Sequence, residues 1–154
     1  MTYFLLKYTH IISATILFGT GIGSAFYMFA ANLRKEVYGI YFATRHVVIA
    51  DFLFTLPAVF VQLISGLGLV FEVGYDFSDK WLTWAGALYL LAVACWIPVV
   101  FLQIKMRDMA KTAFDTRAKL PKLYWTMNLW WIILGALALV MMLIIFFLMV
   151  EKPV

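Results

Sequence analysis

Two histidines and one isolated carboxylate are the residues of this chain best able to do chemistry. His10 follows Lys7 by three positions, so the two share one helical face. A buried neutral imidazole can ligate a metal, and haem iron often takes a histidine. The plainer role is a hydrogen bond to a neighbouring helix. Asp51 heads a series, Thr55, Ala58, Gln62, Ser65 and Leu69, that falls at about one angular position of a helix. A carboxylate within an apolar span either carries a proton beside a redox or transport site, or joins helices by hydrogen bonds. Arg45, Gln103 and Asn128 are its candidate partners. Gly66 borders the stripe, and Pro57 removes a backbone donor and is expected to bend the helix.

Other chemistries find little material. There is no phosphate-binding glycine loop, no zinc-ligand spacing and no Ser/His/Asp arrangement. The single cysteine, Cys95, excludes an internal disulfide. Met106 and Met109 could suggest copper, but they fit an apolar helical face with Ala110, Ala113 and Phe114.

The elements that must position these groups are membrane helices. Of 154 residues, 66% are hydrophobic and 13% charged, and mean hydropathy is +0.97. Soluble domains carry about 25% charge, so lipid must solvate much of this surface. Four apolar runs, about 4–31, 47–71, 81–104 and 125–150, approach or exceed the ~20 residues needed to cross a bilayer. Helix is the state that satisfies their backbone in lipid. The first run exceeds a signal-peptide core and is read as a retained helix. The expected fold is an all-α integral membrane protein, a four-transmembrane-helix bundle forming one domain over 1–154. The third helix is expected to continue as an amphipathic cytoplasmic extension over about 105–118, stopped by Pro121.

Charge orients the bundle. Nine basic residues (Arg34, Lys35, Arg45, Lys105, Arg107, Lys111, Arg117, Lys119, Lys122) occupy the first and third loops, against Lys7, Lys80 and Lys152 on the other side. The positive-inside bias puts those loops in the cytoplasm and both termini on the non-cytoplasmic side. It also accounts for the net charge of +4 without nucleic acid as a partner. Tyr3, Tyr8, Tyr75, Trp81, Trp84, Tyr124 and Trp125 fall at run ends, as interfacial anchors do.

Matching depths across antiparallel helices gives two polar layers. The outer one holds His10, Gln62, Ser65, Gly66, Tyr89 and Met142. The inner one holds Asp51, Thr55, Gln103, Asn128 and Trp131, with Arg45 and His46 at its mouth. Most of the bilayer separates His10 from His46, so the two cannot share one iron. Met142 is a candidate ligand opposite His10, and an open position is the alternative. Gly19 and Gly23 form a small-xxx-small pair, expected to pack a helix closely or to make room for a flat porphyrin.

Several motifs carry a resemblance. Arg45 through Gly68 (with Ala50-Asp51-Phe52, Pro57-Ala58-Val59 and Ser65-Gly66-Leu67), Cys95-Trp96-Ile97-Pro98-Val99-Val100, and Leu148-Met149-Val150 before Lys152-Pro153 resemble a family of bacterial predicted integral membrane proteins. That family name carries no reaction with it. Lys7-xx-His10-Ile11, Pro57, Gly66, Trp81-Leu82 and Lys152-Pro153 are more distantly similar to the four-helix bacterial protoporphyrinogen oxidase family. This likeness implies b-type haem (haem b) at His10. It also implies a lysine soon after Trp81-Leu82, where this chain has Thr83-Trp84-Ala85-Gly86. That departure bears against the oxidase activity itself.

The resulting expectation is a small redox protein of the bacterial plasma (inner) membrane. It binds haem b through His10, with Gly66, Tyr89 and Met142 around the cofactor, and Asp51 handles protons. Electrons pass to or from a quinone, a porphyrinogen or a partner subunit. The alternatives are a non-catalytic accessory or scaffold subunit, a homo-oligomer or part of a larger complex, and a small-solute transporter using Asp51.

Overall fold

The computed structural model describes residues 1–152, and they form four long apolar helices. These are α1 (Thr2–Arg34), α2 (Val37–Val73), α3 (Lys80–Asp115) and α4 (Lys122–Glu151). The shortest has 30 residues, about 45 Å at 1.5 Å per residue, so each exceeds the hydrocarbon thickness. The bundle is therefore that of a four-span membrane protein. The chain runs up and down, with each helix packed on the next. Three turns join them, and the second uses Gly74 at φ 77°, a left-handed position that glycine adopts without strain.

Helix bounds depart from the apolar runs at the end bearing the basic loops. The first loop shrinks to Lys35 and Glu36, because α2 begins ten positions before its apolar run, at Val37. Ile40, Ala43, Thr44 and Val47 form a buried face there, while Arg45 and His46 project outward. Averaged hydropathy misses such a segment because its polar residues dilute the stripe. The α3 extension is real but ends at Asp115, with Arg117 at φ 54° before the chain turns toward α4. Met106, Ala110 and Ala113 are buried, and Phe114 stacks on Tyr41 at 5.6 Å. Two adjoining amphipathic faces thus cover each other.

The core lies toward this basic end, around Met28, Ile40, Val47, Val99, Met106, Tyr124 and Trp131. Tyr124, expected as an interfacial anchor, is wholly buried. Its hydroxyl donates to Asn32 Oδ1 at 2.8 Å, and Asn32 Nδ2 donates to Asn128 Oδ1 at 2.8 Å. This pairing draws Asn128 away from Asp51. Tyr124→Phe should lower stability by about 1 kcal/mol, read as a reduced melting temperature in detergent. A melt identical to wild type would show that this bond adds nothing.

At the opposite end, Lys152 reaches back from α4 to the second turn. Its ammonium lies 4.8 Å from the Tyr75 ring centre and 5.5 Å from that of Trp81. Cation–π attraction therefore ties the end of α4 to the α2–α3 connection.

Gly19 and Gly23 pack against no helix among the described residues. A Cβ added at either would meet nothing within 4 Å. The close α1–α2 approach is instead at Gly66 and Gly68, where added Cβ atoms would lie 3.1 Å from His10 and 3.0 Å from Leu6. The helix partner sits on the other face of α1, so nothing in the described chain covers the glycine pair.

Candidate functional site

Two polar clusters and an apolar cleft make up the interior. The first cluster surrounds His10 near the end that holds both termini. His10 Nδ1 lies 3.0 Å from Ser65 Oγ, and Nε2 lies 3.0 Å from Gln62 Nε2. Ser13 Oγ donates to Gln62 Oε1, and Ser65 Oγ donates to the Val61 carbonyl at 2.6 Å. With the imidazole proton on Nδ1, every donor in this set finds an acceptor, which assigns the tautomer. Ser13 escaped the sequence reading. Its only signal is its place three residues after His10, on the same face.

The second cluster centres on Asp51, buried at the α2–α3 contact. Thr55 Oγ1 donates to Asp51 Oδ1 at 2.8 Å, and Gln103 Nε2 donates to Oδ2. Trp131 Nε1 donates to Gln103 Oε1 at 3.3 Å, which brings in α4. Of the three partners considered for Asp51, only Gln103 is one. Asn128 pairs with Asn32, and Arg45 is exposed. His46 is likewise exposed and its Nδ1 is 2.8 Å from the Phe42 carbonyl, so it borders no polar layer.

Backbone irregularity places Asp51. Residues Asp51–Thr55 form a π-helical turn, with the Leu56 N–H donating to the Asp51 carbonyl. Pro57 follows after Leu56; its ring would clash with the carbonyl four residues back in a regular α-helix. The widened turn relieves that clash, and π turns of this kind are frequent at functional sites.

Between the clusters runs a cleft of about 330 Å³. Asp51, Thr55, Gln103 and Trp131 line one end, and Gln62, Tyr89 and Met142 the other. Part of each inferred layer thus lines one cavity, while His10, Ser65 and Gly66 of the outer layer and Asn128 of the inner one do not. Asp51 and Gln62 are eleven residues apart on α2, about 16 Å along the axis. Tyr89 spends its hydroxyl on the Val59 carbonyl, at 2.7 Å, and presents the ring to the cleft.

His10 and Gly66 stand outside this cavity, so the four expected haem residues are not brought together. Both ring nitrogens of His10 are engaged by hydrogen bonds, and the room left by Gly66 is filled by the imidazole edge. Met142 lines the cleft, which His10 does not. These residues do not fit a haem held between His10 and Met142. Gly66→Val should displace the imidazole from Ser65 and Gln62 and cost about 1–3 kcal/mol in detergent melts. Gly68→Ala meets only the flexible tip of Leu6 and should be tolerated. Equal melting of the two variants would contradict this packing.

Four apolar helices around a polar interior define a multi-pass integral membrane protein of the helical-bundle class, seated in a lipid bilayer. The chain belongs to the family described as predicted integral membrane protein (DUF2269), which it matches over residues 4–153. No curated protein and no solved structure matches it.

Proposed function

We propose that this is a small membrane protein that binds a quinone-class molecule in the cleft, with the ring head at Asp51, the electrons being exchanged with a separate redox partner protein. One observation carries the reading: a mostly apolar cavity, sized for a small molecule, ends on a buried carboxylate flanked by two indoles. The Asp51 carboxylate has acceptor capacity beyond its bonds to Thr55 and Gln103. It can accept a hydrogen bond, and the proton, from a ring hydroxyl. Trp96 and Trp131 line the cleft with it.

Charge selects among lipophilic ligands. No Lys, Arg or His lines the cleft among the described residues, and its floor holds an acid. Fatty acids and porphyrinogens carry carboxylates, which would enter this site uncompensated. That disfavours the porphyrinogen substrate implied by the distant family likeness, as does the missing lysine after Trp81-Leu82. A neutral quinone meets no such penalty. In this reading the basic end faces the cytoplasm of a bacterium, and the termini face outward.

Solvent extraction of the protein purified from bacterial membranes, followed by mass spectrometry, tests the reading. The expected result is a quinone at near one per chain. A purified protein that carries none, and takes up none when supplied, would sink it. A b-type haem spectrum that disappears in His10→Ala would instead restore the haem reading.

A second reading has one observation in its favour. The Gly19/Gly23 face of α1, with exposed Phe26 and Tyr27 nearby, has no partner within the described chain. Close packing there against another helix would make the protein a homo-oligomer or a subunit of a larger complex.

A further inference from the structure

We infer that the ligand enters the cleft sideways from the lipid, through the seam between α1 and α4, and that the Trp96 indole N–H is its hydrogen-bond donor. This rests on the cleft being the binding site proposed above.

The seam is the sparsest contact between successive helices around the bundle. Two ties bracket it. Phe18 and Phe146 meet at 5.4 Å between ring centres, and Asn32 bonds Asn128. Phe18 and Asn32 are fourteen positions apart on α1, a slot of about 20 Å. Small residues line it from both sides: Gly21 and Ala25 on α1, Gly135 and Ala136 on α4. All four are exposed, and a Cβ added at Gly21 or Gly135 would meet nothing within 4 Å. The lining residues at the other extreme, Asp51, Thr55, Gln103 and Trp131, are each less than a tenth exposed. Exposure thus rises from the α2–α3 floor to the α1–α4 seam, which marks where the cleft opens. A hydrophobic tail leaving there would pass directly into lipid, with no aqueous step.

The floor supplies the second part. Trp96 Nε1 is buried and makes no hydrogen bond among the described residues. An indole nitrogen only donates, and a buried donor without a partner is unfavourable; the neighbouring Asp51 carboxylate is one acceptor within its reach, and a ligand oxygen in the cleft is the other. Trp96 lines the cleft together with Asp51. The two also border a smaller cavity of about 170 Å³ between α2 and α3, next to Val100 and Phe101. A head group between them needs an acceptor for Trp96 and, when reduced, a donor for Asp51. A quinone–quinol couple offers a carbonyl and a hydroxyl at its ring.

Glycine substitutions test the path without removing any binding group. Gly21→Leu and Gly135→Leu have room to fold and would fill the slot. Gly19→Leu lies on α1 away from the cleft and serves as the control. The probe is a short-chain benzoquinone added to proteoliposomes, read as saturable quenching of tryptophan fluorescence. Binding in wild type and Gly19→Leu should proceed alike, while Gly21→Leu and Gly135→Leu should slow it tenfold or more. Trp96→Phe should weaken equilibrium binding about tenfold without slowing association. Detergent melts and circular dichroism establish that each variant is folded.

Saturable wild-type binding with unchanged rates in both seam variants would overturn the lateral path and leave the binding site standing. Slowing by Val100→Trp in place of the seam variants would move the entrance to the α2–α3 side and also overturn it. Full affinity in Trp96→Phe would remove the donor role. No saturable quenching in wild type would overturn the quinone reading itself.

Discussion

Asp51→Leu is expected to abolish quinone binding and to destabilise the bundle, whereas Asp51→Asn should keep the fold and lose ligand. The two differ in what they leave behind. Leucine gives Gln103 Nε2 and the Thr55 hydroxyl no acceptor, and an abandoned buried donor costs about 1–3 kcal/mol. Asparagine can turn its carbonyl to Gln103 and its amide to Thr55, whose hydroxyl can accept as well as donate. Both variants remove the carboxylate that meets the ligand. Ligand content by mass spectrometry should therefore fall more than tenfold in both, and the detergent melt should fall only in Asp51→Leu. Full ligand content in Asp51→Asn would show that the carboxylate is structural only.

Trp131→Ala should lower stability by about 2–3 kcal/mol. Trp131 is buried in the core cluster and links α4 to Gln103. Truncating a large buried aromatic costs about 3–5 kcal/mol in soluble proteins, part of it transfer of the side chain to water. Here a separated helix returns its indole to lipid, so that part shrinks and lost packing dominates. Trp131→Phe keeps most of the packing and gives up the bond to Gln103, so it should cost about 1 kcal/mol. Denaturation in mixed detergent micelles separates the two. Equal losses would mean that the hydrogen bond, not the packing, holds α4.

The ranking of these variants follows from burial that the sequence could foretell only in part. The α2 stripe was legible because period 3.6 aligned Asp51, Thr55, Ala58 and Ser65, and all four are buried. Matching depths also brought His10 to Gln62 and Ser65, and Asp51 to Gln103. The Asn32–Asn128–Tyr124 set was not legible. Its members sit at run ends, where tyrosine and asparagine ordinarily face the interface. The grouping of His10 with Met142 was not legible for a related reason. Depth along the bundle axis can be counted from sequence, but azimuth around it cannot, and His10 and Met142 point to different places.

The sequence by itself determined that this is a four-helix membrane bundle, and its charges give the orientation proposed here. Hydropathy and length leave no other way to satisfy the backbone in lipid. It also marked part of the polar interior, Asp51, Thr55, Gln62, Ser65 and Gln103, because polar residues within apolar spans are few and costly in lipid. Only the tertiary structure decided how they divide. The α1–α2 contact at Gly66 and Gly68 encloses His10 in its own hydrogen bonds, and the loose α1–α4 seam leaves Asp51 at the floor of an open cleft. Those outcomes depend on how tightly each pair of helices meets, which small residues permit but do not dictate.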